Sequence, residues 1–249
     1  MAKPTILIVP GSFAPSTMYD EVVRLLKAKG YPAVAVELPS TTKRMPLEPA
    51  TMMEDADVVK RAAETLIGLG KEVIVIPHSY GGVPTMQGLA GIPVKKIICM
   101  SAVVPTIGQT QIEAMGQDMP PMPPVTAGYL HLDPILLTSA ACNDMPWEDG
   151  YPVTLQLAHQ SAASFEEKVT QVAYADKGGA VPVAYIVCEQ DLIISPGMQR
   201  KYVDVVQQAT RTTGATARPV DVYSLDAGHI PNASCPAKLV EGIVWCAEK

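Results

Sequence analysis

Short apolar runs recur along the chain, separated by segments with helical spacing. The runs are 5–9 (Thr-Ile-Leu-Ile-Val), 33–37, 72–76, 96–100, 182–188 and 219–224. Most are continuously apolar rather than alternating, the pattern of strands covered on both faces. Helices are predicted over 17–29, stopped by Gly30, and over 52–68, opened by the capping box Thr51-x-x-Glu54. Further helices are predicted over 81–90, over 197–210 after Ser195-Pro196, and over 236–247. Strands alternating with helices predict an α/β fold with a parallel sheet and crossover helices.

Residues 103–180 break that rhythm. They hold Met115, Met119, Met122 and Met145 beside a dense proline run, Pro120, Pro121, Pro123 and Pro124. A helix-like stretch, Ser164–Tyr174, follows with its own Ser-x-x-Glu start at Ser164 and Glu167. Ligands of open parallel sheets bind at the carboxyl ends of the strands. An insertion at that edge must cover them, so 103–180 is read as a lid over a core made of 1–102 and 181–249. The alternative is an ordinary run of surface loops and helices.

Composition narrows the class. With 48% hydrophobic and 18% charged residues in 249, the chain can bury a large core and is too apolar for disorder. No uninterrupted apolar stretch reaches spanning length, so no membrane segment is expected. The start, Met-Ala-Lys-Pro-Thr, lacks a signal-peptide pattern, and a cytoplasmic protein is expected. The net charge of −6 has no acidic block behind it and gives no reason to expect a nucleic-acid partner. Five widely spaced cysteines, Cys99, Cys142, Cys188, Cys235 and Cys246, form no C-x-x-C pair and no zinc spacing. Neither a metal nor a cofactor is expected, and no G-x-G-x-x-G marks a dinucleotide site.

The chemistry concentrates where the third run ends, in Val75-Ile-Pro-His-Ser-Tyr-Gly-Gly82. A strand that turns sharply into a helix through a serine lifts that hydroxyl above the sheet edge. Small residues are needed two positions to either side, because the two backbones nearly touch. Gly81 fits, whereas Pro77 stands where glycine is usual. A serine hydroxyl is a weak nucleophile and needs a base, and the base needs an orienting group. Of four histidines, His78 would point away from Ser79 and is read as structural, and His131 and His159 lie in the lid. His229 follows the last strand, within reach of the carboxyl edge. The acid candidates are Glu189, Asp191 and Asp226. Asp191, just past the strand 182–188, is preferred, with Asp226 the runner-up. The order Ser79, Asp191, His229 is nucleophile, acid, base. An oxyanion needs two preorganised N–H donors. One is expected from Tyr80, the other from the turn Pro10-Gly11-Ser12-Phe13, with Ser12 preferred and Phe13 next.

These segments together resemble the compact α/β-hydrolases that include plant methyl-ester esterases, hydroxynitrile lyases and their fungal and bacterial relatives. The resemblance spans nearly the whole chain and is strongest at Ile6–Phe13, Val73–Gly82, Tyr185–Pro196 and Asp226–Pro231. It implies an α/β-hydrolase fold of about six mostly parallel strands, an inserted helical lid and a Ser79–His229–Asp191 triad. The sequence departs from the family pattern at Pro10 and Pro77. Hydroxynitrile lyases of this fold carry a lysine after the catalytic histidine, and Ile230 stands there, which disfavours cyanohydrin cleavage. The expected function is hydrolysis of a carboxylic ester or lactone of a small apolar molecule, with Met115, Met119 and Met122 lining the pocket. A lyase or cyclase of natural-product metabolism, or a ligand-binding receptor using the same pocket, is the alternative.

Overall fold

The computed structural model describes residues 2–119, 121–176, 180–212 and 219–249, with the backbone alone at 118 and 210–212. Six strands make the main sheet: β1 (Thr5–Val9), β2 (Ala33–Ala35), β3 (Val73–Pro77), β4 (Lys96–Met100), β8 (Val183–Cys188) and β9 (Asp221–Leu225). Their order is β2-β1-β3-β4-β8-β9, and every pairing is parallel. Three short strands, β5 (Val125–Thr126), β6 (Tyr129–His131) and β7 (His159–Ser161), form a separate antiparallel sheet.

The continuous apolar runs are explained by what covers them. Successive strand residues face opposite sides of the sheet. Leu7, Val9, Val75, Ile97, Cys99, Tyr185 and Val187 belong to one buried cluster. Ile6, Ile8, Ile74, Ile76, Ile98, Met100, Ala184 and Ile186 belong to another. The first is closed by α2 (Met52–Gly68), α3 (Gly82–Gly88) and α8 (Pro196–Thr212), the second by α1 (Asp20–Ala28) and α10 (Pro236–Glu248). The two edge strands are the more open ones: Val34 of β2 is exposed, and β9 alternates half-buried with exposed positions up to buried Leu225.

The predicted elements are present with shifted ends. The strand expected over 33–37 pairs as Ala33–Ala35, and the Glu37 side chain accepts from Ser16 N instead. The helix expected over 17–29 begins as a 3₁₀ turn, Ser16–Tyr19, before α1. The capping box at Thr51 and Glu54 is formed in both directions. Cys99 and Cys188 are buried within strands.

The segment 103–180 departs further from expectation. It is mixed rather than helical, joining β5–β7 to α4 (Gln111–Met115), α5 (Pro134–Ala141), α6 (Trp147–Thr154) and α7 (Ala163–Glu166). Pro120, within the proline run, lies outside the described residues. The helix expected over Ser164–Tyr174 stops at Glu166 because its donors are taken elsewhere. Glu167 accepts from Met53 N at 2.9 Å, and Gln87 Oε1 accepts from Thr170 N and Gln171 N. Val169 exchanges backbone bonds with Gly108 and Gln109.

Two glycines set how closely α3 approaches its neighbours. A Cβ on Gly82 would lie 2.1 Å from Val103 O, and one on Gly88 would lie 2.4 Å from Ala56 O. Both neighbours are backbone and cannot swing aside. Gly88→Ala should therefore cost about 3 kcal/mol, the upper part of the overpacking range. The urea midpoint reads this, and an unchanged midpoint would show that α2 and α3 can separate at little cost. Among the described residues no helix is long and apolar enough to cross a membrane. No cluster of His, Cys, Asp and Glu among them could hold a metal ion.

Candidate active site

The chain leaves β1 toward β2 on one side, while β3 lies on the other. This reversal of strand order opens a crevice at the carboxyl ends of β1 and β3. Ser79 stands there, two residues past β3, with a left-handed φ of +50°. A non-glycine residue in that region costs on the order of 1–3 kcal/mol unless its surroundings hold it. Gly81 N donates to His78 O, and Val103 N donates to Ser79 O at 3.0 Å, pinning both sides of the turn. A Cβ on Gly81 would lie 2.5 Å from Pro10 O, so only glycine lets the new helix start against the end of β1.

Three side chains from three strand ends meet. His229 Nε2 is 3.0 Å from Ser79 Oγ, and His229 Nδ1 is 2.8 Å from Asp191 Oδ2. Ser79 and His229 are 6% and 7% exposed, and Asp191 is 1% exposed. Because a carboxylate only accepts, Nδ1 carries the proton and Nε2 faces the hydroxyl as an acceptor. An imidazole so placed can take a proton from Ser79 and hold the resulting charge against Asp191.

Asp191 follows β8 by three residues, and its position is heavily determined. Oδ1 accepts from Ile193 N and Ile194 N at 2.8 and 2.9 Å. Oδ2 accepts from Ser101 Oγ and from Gln199 Nε2 as well as from His229. Burial acts to raise this carboxyl, but His229 and the bonds from Ser101 and Ile194 prevail and hold it below the ordinary carboxylate range. The other acid candidates are turned away. Glu189 pairs with Arg200, and Asp226 is exposed and accepts from Gln190.

His78 is built into the frame. Its Nε2 donates to His229 O at 2.8 Å, and its Nδ1 accepts from the Tyr19 hydroxyl at 2.7 Å. Gly11 N in turn donates to Tyr19 Oη. Burial, reinforced by His229, pushes His78 down to about 3, so it stays neutral. The relay joins the turn after β1, the turn after β3 and the loop carrying His229.

The turn after β1 packs directly on Ser79, since a Cβ on Gly11 would lie 3.1 Å from Ser79 Cβ. The two N–H candidates on that turn differ. Phe13 N, at φ +63°, donates to the buried Gln160 Oε1 at 3.0 Å, whereas Ser12 N has no acceptor among the described residues. Tyr80 N lies in the first turn of its helix, where no intrahelical acceptor exists. Behind it the Tyr80 hydroxyl donates to buried Asp55. Burial lifts that carboxyl to about 6 against the bonds from Ser40 and Tyr80.

The three methionines expected at the pocket are placed differently from one another. Met115 is buried in the cluster that contains Phe13, Tyr80 and Phe165, and Met119 packs partly buried against it. Met122 is 39% exposed and stays outside the cluster. His131 and His159 face each other across β6 and β7, their ring centroids 6.2 Å apart, with His159 against Tyr129. Two surface cavities of about 390 and 250 Å³, one beside Thr17 and Arg24 and the other beside Met53 and Lys60, lie away from Ser79. Sequence reasoning passed over Tyr19, Asp55, Ser101, Gln160 and Gln199. Only Ser101 left a local signal, as a small polar residue directly after an apolar strand.

Comparison with known proteins agrees with this geometry. The model of the alpha/beta hydrolase family matches residues 6–242. The chain is 47% identical to probable hydrolase R7 of Phoma sp., covering 99% of each. It is 26% identical to alpha/beta hydrolase nvfD of Aspergillus novofumigatus, covering 98% of this chain and 96% of that one. The crystal structure of a pyrethroid hydrolase from Sphingobium faniae JZ-2 superposes with a TM-score of 0.74 at 24% identity, covering 98% and 97%. A strained serine between β3 and α3, a family match across most of the length and a close full-length relative agree: this chain belongs to the alpha/beta hydrolase family.

Proposed function

We propose that the protein hydrolyses a carboxylic ester or lactone of a small apolar molecule. The observation that carries this reading is the continuous bond path Ser79 Oγ, His229, Asp191 at 3.0 and 2.8 Å. Ser79 attacks the carbonyl carbon while His229 Nε2 takes its proton. The same nitrogen returns that proton to the leaving alcohol, and the acyl-enzyme is released by water that His229 activates. Asp191 holds the imidazole in the required tautomer. Ser12 N–H and Tyr80 N–H receive the oxyanion, because Phe13 N–H is already engaged by Gln160.

The apolar preference rests on Phe13 and Phe165, whose rings meet edge to face at 6.4 Å with Tyr80 beside Phe165, and on Met115 and Met119 packed on the same face of the sheet. A series of p-nitrophenyl esters from acetate to longer chains should gain about fourfold in kcat/KM per methylene, from about 0.8 kcal/mol each, until the pocket is full. A flat series would remove the support for an apolar acyl pocket. The reading as a whole is tested by a fluorophosphonate. A covalent adduct on Ser79, located by mass spectrometry, is expected. An unlabelled serine together with no turnover of any ester would sink it and favour a lyase, cyclase or receptor.

A further inference from the structure

Ser101 is the residue directly after β4, wholly buried, with a left-handed φ of +41°. Its backbone N donates to Ile186 O at 3.1 Å, which ties it to β8, the strand that leads to Asp191. Its hydroxyl donates to Asp191 Oδ2 and lies 3.5 Å from His229 Nδ1, and the described residues offer it no other partner. Building on the hydrolase reading above, we propose that Ser101 is a positioning residue of the triad. Its hydroxyl donates to the Asp191 oxygen that receives the His229 proton and so holds acid and base in register.

The supply of donors at Asp191 makes the case. Oδ1 is already satisfied by Ile193 N and Ile194 N, both from the same loop. Oδ2 faces the imidazole and has only side chains to hold it. Gln199 Nε2 lies near three acceptors, Ile194 O at 2.7 Å and both Cys188 O and Asp191 Oδ2 at 3.2 Å. An amide nitrogen has two hydrogens for those three, and the shortest contact is to Ile194 O. The donation to Oδ2 from Gln199 is therefore shared. Ser101 is left as the dedicated donor beside His229. When His229 becomes doubly protonated, its Nδ1–H lies between Asp191 Oδ2 and the Ser101 oxygen, so the hydroxyl also presents a lone pair to the cation. The remaining titratable neighbours do not compete. Burial pushes the Cys188 thiol and the Tyr185 phenol well above their ordinary ranges, and His78 stays neutral behind His229.

Two variants separate this role from a purely structural one. Ser101→Ala removes the hydroxyl and keeps the strained φ. Ser101→Gly removes the hydroxyl and relieves that strain. Both should lower kcat about tenfold to a hundredfold, the loss expected for one hydrogen bond to a charged group, with KM within about twofold. Both should move the acidic limb of the kcat/KM profile to higher pH, because Asp191 Oδ2, with one donor fewer, attracts the imidazolium more strongly. Melting temperature should fall for alanine and hold for glycine, so activity and stability should part company. Wild-type kcat and an unmoved limb in Ser101→Gly would overturn the proposal. A readout independent of turnover is the low-field proton resonance of His229 Nδ1–H. It should move downfield in Ser101→Gly, because Oδ2 becomes a stronger acceptor, and an unmoved resonance counts against the proposal even in an inert enzyme. Fluorophosphonate labelling of the wild type reports separately on the hydrolase reading.

Discussion

Ser79→Ala should abolish ester turnover, by on the order of 10⁶-fold in kcat, while the protein remains folded. The size follows from the role. Among the described residues Ser79 Oγ makes a single hydrogen bond, to His229 Nε2. Ser101, the nearest serine in the network, has its hydroxyl on the far side of the imidazole, against Asp191. The stability effect is small for an equally local reason. Alanine keeps the Cβ that packs on Gly11 and tolerates φ +50° no worse than serine does. Heat denaturation should place the variant within about 1 kcal/mol of the wild type, since one modest hydrogen bond is lost. Turnover of a p-nitrophenyl ester retained within tenfold would make Ser79 a structural turn residue and move the chemistry elsewhere.

The placing of Ser79 at the turn after β3 was legible because three physical constraints meet in one short segment. A buried parallel strand must be apolar, the turn after it must be sharp, and the departing helix needs glycine against β1. Those demands leave Val73–Gly82 little freedom. The meeting of Asp191 and His229 was legible for a different reason: a parallel sheet delivers every strand end to the same edge, so a carboxylate just past β8 arrives near a histidine just past β9. The segment 103–180 obeys no such rule. Its path between α7 and β8 is set by side chains distant in sequence, with Gln87 taking the N–H groups of Thr170 and Gln171, and Glu167 capping α2 rather than its own helix. A Ser-x-x-Glu pattern is a local signal, and a better acceptor or donor elsewhere in the fold overrides it. The same holds for Gln160 and Tyr19. Their partners, Phe13 N and His78, lie 147 and 59 residues away, and nothing in the local pattern announces them. Gln160 is nonetheless what separates the two oxyanion candidates, because it occupies Phe13 N–H and leaves Ser12 N–H.

Asp191→Asn should lower kcat about 10⁴-fold, the loss seen when an orienting carboxylate in such a triad becomes an amide. Two backbone donors, Ile193 N and Ile194 N, converge on Oδ1. The amide oxygen must take that place, which puts the NH₂ group where Oδ2 stood. An NH₂ group there can only donate to His229 Nδ1. The imidazole then carries its proton on Nε2, facing Ser79, and has no lone pair to receive the hydroxyl proton. Ser101 and Gln199 also lose their acceptor, so the variant should be less stable by about 1–3 kcal/mol for the buried groups left unpaired. The pH dependence fixes the sign of that difference. The carboxyl of Asp191 is held below its ordinary range in the folded protein, so its contribution to stability is full above the unfolded value of about 3.9 and fades as pH falls through the folded one. The gap in melting temperature between wild type and Asp191→Asn should therefore be wide at pH 7 and narrow below about pH 4. Asp226→Asn supplies the control. Asp226 is exposed and bonded to Gln190, so its loss should change kcat by no more than about twofold, as for a surface polar contact of a few tenths of a kcal/mol. A severe loss in Asp226→Asn beside a mild one in Asp191→Asn would transfer the acid's role to the exposed carboxylate.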